Sequence, residues 1–150
     1  MLNLASLEAR AKVGSLHESC IGQMATDPHR VLLAEDDGLF REALRARLTS
    51  NGYEVHTART GNEALQRVLT LQPHVLVLDI NMPELDGFGV LEALRANPPG
   101  FDVPVVVLSA RRREEDVRRA VALGARDYIV KTGNDAELIR RIQRLMPAAA

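Results

Sequence analysis

Short apolar runs alternate with segments of helical spacing from Arg30 to the end of the chain. The apolar runs are typical of strands and occupy residues 31–34, 53–58, 74–78, 103–108 and 128–130. After each run, apolar residues recur every three or four positions, which predicts a helix. Five strands each followed by a helix predict a doubly wound α/β fold, with a parallel sheet, right-handed crossovers and helices on both faces.

Helix-capping and helix-breaking residues mark the ends of several predicted helices. Thr60 and Glu63 form a capping-box pattern at the start of the second helix, and Pro73 ends it. Asn134 and Glu137 form a similar pattern before the last helix. These signals divide the chain into the same alternating elements as the apolar pattern.

The first 28 residues follow a different pattern. Their apolar residues have a 4-3-4 spacing that predicts an amphipathic helix of a few turns: Ala9, Val13, Leu16 and Cys20. A break at residues 26–28 separates this segment from the rest. We therefore expect an extension at 1–28, a domain at 29–147 and a tail at 148–150. The extension is a simple helical addition, or else a helix that docks on a partner or makes a homodimer.

Composition and charge exclude several classes of protein. The chain has 19 basic and 20 acidic residues, a balance that excludes a generally basic surface for nucleic acid. Arginines at 111–113, 118 and 119 are interrupted by acidic residues at 114–116, which indicates a solvated helix face with internal ion pairs. No apolar run approaches the roughly 20 residues that span a bilayer, and Glu8 and Arg10 stand where a signal peptide needs its apolar core. A soluble, cytoplasmic protein is expected.

Polar residues directly follow four of the predicted strands. Glu35-Asp36-Asp37 follow the first strand, Asp79 the third, Ser109 the fourth and Lys131 the fifth. In an open parallel sheet, ligands bind beyond the carboxyl ends of the strands. Carboxylates gathered there repel one another, and a hard divalent cation such as Mg²⁺ removes the repulsion while keeping open coordination positions. With a lysine and a hydroxyl as donors, the site is suited to a phosphoryl group and a carboxylate nucleophile.

These residues resemble the receiver domain of two-component response regulators. The resemblance lies in Glu35-Asp36-Asp37, Asp79-Ile80-Asn81-Met82-Pro83, Asp86-Gly87, Ser109-Ala110, and Gly124-Ala125 leading to Tyr128 and Lys131. Asp36 and Asp79 are 43 residues apart, Ser109 follows after 30 and Lys131 after a further 22. The match extends over about residues 30–146. It implies a flavodoxin-like sheet of order 2-1-3-4-5.

The resemblance also implies a phosphoacceptor and a metal site. Asp79 would accept a phosphoryl group from a sensor histidine kinase or a phosphotransfer protein. Asp36, Asp79 and the backbone carbonyl of Asn81 would ligate Mg²⁺, and Glu35 would contribute through water. The protein would be a phosphoacceptor regulator rather than a conventional enzyme.

The remaining implied roles belong to the later strands and their loops. Lys131 would pair with the phosphoryl group, and Ser109 would move to hydrogen-bond it. Tyr128 would be an aromatic switch that turns inward when Ser109 moves. Asp37 and Arg111 would be secondary: Asp37 is expected to cap the first helix rather than bind metal, and Arg111, like Asn81, would tune the lifetime of the phosphoryl group.

Three positions depart from the commonest family pattern. Glu35 replaces an aspartate, and Ser109 replaces a threonine while keeping the hydroxyl. Thr132 stands where many members have a proline, often after a cis peptide bond, so the resemblance does not define the loop that follows Lys131.

We interpret the chain as a phosphorylation-gated switch whose responsive surface covers residues 111–146. It would control a downstream partner or output domain that the sequence does not identify, without binding nucleic acid or a membrane itself. One alternative is a receiver-like protein-binding module that does not cycle phosphate. A second is a haloacid-dehalogenase-type phosphohydrolase, which would need a second aspartate at the position of Asn81.

Overall fold

A computed structural model of the chain describes residues 27–96 and 102–147. Within these ranges, five strands alternate with five helices, as the apolar pattern predicts. In chain order the elements are β1 Arg30–Ala34, α1 Gly38–Ser50, β2 Glu54–Ala58, α2 Gly61–Leu71, β3 Val75–Leu78, α3 Gly87–Ala96, β4 Val105–Ser109, α4 Glu114–Ala122, β5 Asp127–Val130 and α5 Ala136–Leu145.

The five strands form one parallel sheet in the order β2-β1-β3-β4-β5, which confirms the predicted fold class and strand order. Ala34 pairs with Leu78, so β1 and β3 end side by side. Ser109 pairs with Val130, which brings the ends of β4 and β5 together. The register therefore delivers the residues that follow β1, β3, β4 and β5 to one edge of the sheet.

Two apolar cores cover the two faces of the sheet. Alternate strand residues point to opposite faces, so Leu32 and Leu76 lie in one core and Val31 and Val75 in the other. Helices α2, α3 and α4 contribute buried side chains to the first core, and α1 and α5 to the second. This three-layer packing fixes the strand ends from both sides.

Local capping agrees with the predicted pattern at one helix and differs at another. The Thr60 hydroxyl accepts a hydrogen bond from the Glu63 backbone N–H at 3.1 Å, which caps α2. Before α5, the Asn134 side chain accepts from the Ala136 N–H at 3.1 Å, but the cap residue itself is Asp135. The cap expected from Asn134 is therefore present one residue early, whereas the Glu137 side chain pairs with Arg140 and Arg141.

The predicted N-terminal helix lies outside the described residues, and it stays a prediction. Among the described residues, no helix combines the length and the apolar character that crossing a membrane requires. All peptide bonds in this part of the chain are trans, including the one between Lys131 and Thr132.

Candidate functional site

Three carboxylates meet where β1 and β3 end. Glu35 and Asp36 follow β1, Asp79 follows β3, and each offers an oxygen within 4.8 Å of the others. The side chains of Glu35 and Asp79 are buried, whereas Asp36 is exposed. The parallel register accounts for this cluster, because the paired residues Ala34 and Leu78 immediately precede Glu35 and Asp79.

Lys131 connects the two buried carboxylates. Its Nζ lies 3.0 Å from Glu35 Oε2 and 3.3 Å from Asp79 Oδ2. The same Nζ lies 4.5 Å from the centre of the Phe40 ring, a cation–π contact. Burial lowers the pKa of Lys131, but the contacts with Glu35 and Asp79 outweigh it, so the pKa is raised overall and the ammonium stays charged.

Burial and the neighbouring charge of Asp79 together make Glu35 harder to ionise. Burial, and then the charge of Asp79, raise the pKa of Glu35 from 4.5 to about 7, although Lys131 opposes the shift. A single ammonium therefore does not neutralise the acidic cluster. At neutral pH a further cation bound by the cluster would offset the remaining repulsion between the carboxylates.

The donor set fits a hard divalent cation. The cluster offers carboxylate oxygens only, one of them on the exposed Asp36, and oxygen ligands are those that Mg²⁺ and Ca²⁺ prefer. Asn81 lies at the same place, because its backbone N–H donates to Asp79 Oδ1 at 3.3 Å. The four residues that the sequence analysis assigns to the metal site are thus adjacent in the structure.

Ser109, Arg111 and Tyr128 form a hydrogen-bonded group beside this cluster. The buried Ser109 Oγ accepts from the Arg111 backbone N–H at 3.2 Å, and the Tyr128 hydroxyl donates to the Arg111 carbonyl at 2.9 Å. Burial raises the pKa of Tyr128, so its hydroxyl is a donor at neutral pH. The Arg111 Nε donates to Asn81 Oδ1 at 2.8 Å. The loop after β4 is therefore tied to the loop that carries Asp79.

Asp37, a secondary candidate, does not join the acidic cluster. Its Oδ1 accepts from the backbone N–H groups of Leu39 at 3.0 Å and Phe40 at 3.2 Å, which caps α1. Asp37 therefore positions the helix that begins beside the site rather than offering a ligand.

Close backbone packing explains the Asp86-Gly87 motif. Asp86 Oδ1 accepts from the Gly89 N–H at 2.8 Å at the start of α3. A Cβ at Gly87 would lie 2.6 Å from the Asp79 carbonyl oxygen, which is closer than real side chains come. The absence of a side chain at Gly87 thus lets α3 begin directly against the phosphoacceptor candidate.

Two residues near the site were missed by the sequence analysis. Arg41 is buried beneath the acidic loop, and the ring of Phe40 lies under the Lys131 ammonium. Arg41 has a detectable signal, since Arg41, Leu44 and Leu48 share the 3-4 spacing of the buried face of α1.

Comparison with known proteins places the chain in a family. The model of the response regulator receiver domain matches residues 31–143. The chain belongs to this family. Its receiver domain is 45% identical over 117 residues to the transcriptional regulatory protein PrrA of Mycobacterium leprae, covering 78% of this chain and 49% of that protein.

Solved structures of receiver proteins share the fold. The chemotaxis protein CheY4 of Vibrio cholerae has a TM-score of 0.74 and 30% identity, with 80% of this chain and 100% of that one covered. The response regulator TrrA of Thermotoga maritima, solved in complex with Mg²⁺–BeF, has a TM-score of 0.71 and 30% identity, with 79% and 99% covered. The chain spans about half the length of the curated relatives it matches.

Proposed function

We propose that this receiver domain is a phosphorylation-gated switch in which Asp79 is the phosphoacceptor. The observation that carries the proposal is the buried Asp79 carboxylate, 3.3 Å from the Lys131 ammonium and clustered with Glu35 and Asp36. A sensor histidine kinase or a phosphotransfer protein would supply the phosphoryl group on a phosphohistidine.

The proposed step is a displacement at phosphorus. An oxygen of the Asp79 carboxylate attacks the phosphorus, the new P–O bond forms, and the P–N bond to the donor imidazole breaks. The bonding electron pair leaves with the imidazole nitrogen. Attack of water on the phosphorus later releases inorganic phosphate and restores the carboxylate. Lys131 would exchange its contact with Asp79 for one with a phosphoryl oxygen.

Asp36, Asp79 and the backbone carbonyl of Asn81 would hold Mg²⁺, with Glu35 contributing through a water molecule. When bound, Mg²⁺ neutralises the carboxylates and the charge that develops on the phosphoryl oxygens. The residues themselves orient the nucleophile, since the Asn81 N–H and Lys131 each bind one oxygen of Asp79.

Ser109 and Tyr128 would transmit the change to the surface formed by residues 111–146. A phosphoryl group adds about −1.5 to −2 charges next to Asp79. Movement of Ser109 towards it would break the 3.2 Å bond to the Arg111 N–H and disturb the Tyr128–Arg111 bond. The domain at 29–147 would thereby present a different surface to its downstream partner.

Direct binding of nucleic acid is not part of the proposed function. Much of the basic cluster is internally paired: Arg118 lies 2.6 Å from Glu114, Arg113 lies 3.5 Å from Glu115, and Arg111 lies 3.7 Å from Asp116. Such pairing reduces the positive potential that would attract a phosphate backbone.

Incubation with a small phosphodonor and Mg²⁺, followed by intact-mass measurement, tests the proposal. The wild-type chain should gain one phosphoryl group, and Asp79→Asn should gain none while keeping its circular dichroism spectrum. Asp37→Asn is the matched control and should still be labelled, because Asp37 caps α1 outside the cluster. A wild-type chain that takes up no phosphate would instead support the phosphorylation-independent binding module.

A further inference from the structure

We propose that Arg41 is a positioning residue that fixes the backbone carrying Glu35 and Asp36. The proposal rests on the proposed function of that acidic cluster. Arg41 lies on α1 with only 7% of its surface exposed. Its Nη1 donates to the Glu35 carbonyl at 2.9 Å and to the Asp36 carbonyl at 3.3 Å.

Arg41 also binds the next carbonyl in the chain. Its backbone N–H donates to the Asp37 carbonyl at 2.9 Å. This last bond is the first backbone hydrogen bond of α1, so the arginine side chain itself adds the bonds to two consecutive loop carbonyls, those of Glu35 and Asp36. On the other side of the loop, the Glu35 N–H donates to the Ala58 carbonyl at 2.9 Å. The backbone of the acidic loop is thus held between β2 and Arg41.

A buried guanidinium is costly unless it serves a specific contact. Within the described residues, Arg41 has no carboxylate oxygen within 4.0 Å, so no ion pair explains its burial. An apolar side chain at this position would continue the buried face of Leu44 and Leu48 without that cost. Compared with an apolar residue, the arginine side chain adds the hydrogen bonds to the carbonyls of Glu35 and Asp36.

Two possible roles of Arg41 have opposite effects on Mg²⁺ binding. If the guanidinium acted only as a nearby positive charge, its removal would tighten the binding of a dication by relieving repulsion. If it positions the loop, its removal weakens binding, because Mg²⁺ demands near-ideal octahedral geometry. The sign of the change therefore separates the two roles.

The test is a Mg²⁺ titration of the full chain by calorimetry, below the unfolding temperature of each variant. Arg41→Met should weaken Mg²⁺ binding by about tenfold or more, the usual effect of losing a residue that orients metal ligands. Arg41→Lys should lie between Arg41→Met and wild type, because both side-chain bonds converge on a single nitrogen that an ammonium can replace. The control is Arg45→Met, since Arg45 is exposed on the same helix and pairs with Glu42; it should bind like wild type.

A second measurement needs no metal. The Asp37 N–H donates to Glu35 Oε1 at 3.3 Å, so its hydrogen exchange reports the order of the acidic loop. Exchange should be faster in metal-free Arg41→Met than in wild type and unchanged in Arg45→Met. If Arg41→Met does not fold, Arg41→Gln carries both measurements, because its shorter amide cannot place a donor on both carbonyls. Wild-type Mg²⁺ binding and exchange in Arg41→Gln would then overturn the proposal.

The outcomes distinguish this inference from the proposed function. Wild-type or tighter Mg²⁺ binding by Arg41→Met, with unchanged Asp37 exchange, would overturn the positioning role and leave the phosphoacceptor assignment intact. A wild-type chain that neither binds Mg²⁺ nor takes up phosphate would overturn the proposed function, whereas faster Asp37 exchange in Arg41→Met would still support the role of Arg41 in the loop.

Discussion

The contacts made by Lys131 require a compact cationic group. Its Nζ contacts both Glu35 and Asp79 while packing over the Phe40 ring, in a position where only 19% of the side chain is exposed. A guanidinium is planar and broader, and it cannot occupy this place with the same contacts. The size of the cationic group, as well as its charge, therefore favours lysine over arginine at position 131.

Arginine should consequently fail to replace this lysine. We expect Lys131→Arg to lose the phosphorylation-dependent change in the NMR spectrum, including the resonances of Tyr128, even though the charge is kept. The wild-type chain, treated with the same phosphodonor and Mg²⁺, is the reference. Wild-type spectral changes in the variant would show that a positive charge alone is sufficient at this position and would contradict the prediction.

Glu35 should make the metal-free protein less stable as the pH rises. Because its folded pKa is about 7 rather than 4.5, the folded state holds a proton between these values that the unfolded state has released. The free energy of unfolding then falls with increasing pH across this window. Thermal unfolding at a series of pH values in excess chelator measures the effect.

Substitution of Glu35 and addition of metal supply the controls for that prediction. Glu35→Gln should remove this part of the pH dependence, since the amide does not titrate. Bound Mg²⁺ should also reduce it, because the cation favours the ionised carboxylate. An unchanged pH profile in Glu35→Gln would show that another group is responsible.

At the scale of the elements, the ends of the strands were predictable and the contacts between loops were not. The apolar runs and the parallel order that they imply are enough to predict that Glu35 and Asp79 lie at one edge of the sheet. The contact between Arg111 and Asn81 joins residues 30 positions apart, and it depends on side-chain directions in two loops. Such directions are set by packing that the sequence pattern does not encode.

The ends of individual elements, and the burial of single residues, are also less predictable from the sequence than the order of the strands. The apolar run predicted β4 from residue 103, whereas the strand begins at Val105. Pro104 has no N–H for the ladder, although its carbonyl accepts from Leu76. Arg41 was not identified as a site residue because a charged side chain on a helix is ordinarily exposed, and its burial depends on carbonyls from another segment.

Neighbouring aspartates should have separable roles in the loop before α1. Asp36 belongs to the acidic cluster, so Asp36→Ala should weaken Mg²⁺ binding. Asp37 caps α1, so Asp37→Ala should cost about 0.5–2 kcal/mol of stability while preserving most of the Mg²⁺ affinity. Calorimetric titration and denaturant unfolding of both variants give the comparison. Equal losses of Mg²⁺ affinity would contradict the assignment of ligands.

At the scale of the whole molecule, the site connects the two faces of the sheet. Lys131 contacts Phe40 on α1, while Ser109 and Tyr128 hold the loop that leads to α4 on the other face. A charge added at Asp79 would act on both connections at once. Under the proposed function, phosphorylation of Asp79 would therefore alter the surface at 111–146 through these contacts.

The first 28 residues lie outside the family match at 31–143, and their role stays a prediction from the sequence. Their 4-3-4 apolar spacing covers only about two heptads, and an isolated helix of that length is marginal in water. If the segment is helical, Val13 and Leu16 must be buried against the domain or against a second copy. The described helices already commit apolar side chains to the two cores, so we expect self-association.

Deletion of residues 1–25 tests that expectation. Sedimentation equilibrium of the full chain should show a dimer, and the truncated chain should be a monomer with the same circular dichroism per folded residue. Both proteins should be measured with and without phosphodonor and Mg²⁺, because phosphorylation could itself alter association through the surface at 111–146. A full chain that is monomeric at high concentration in both states would reject self-association, since the apolar side chains of the segment would then have no second copy against which to pack.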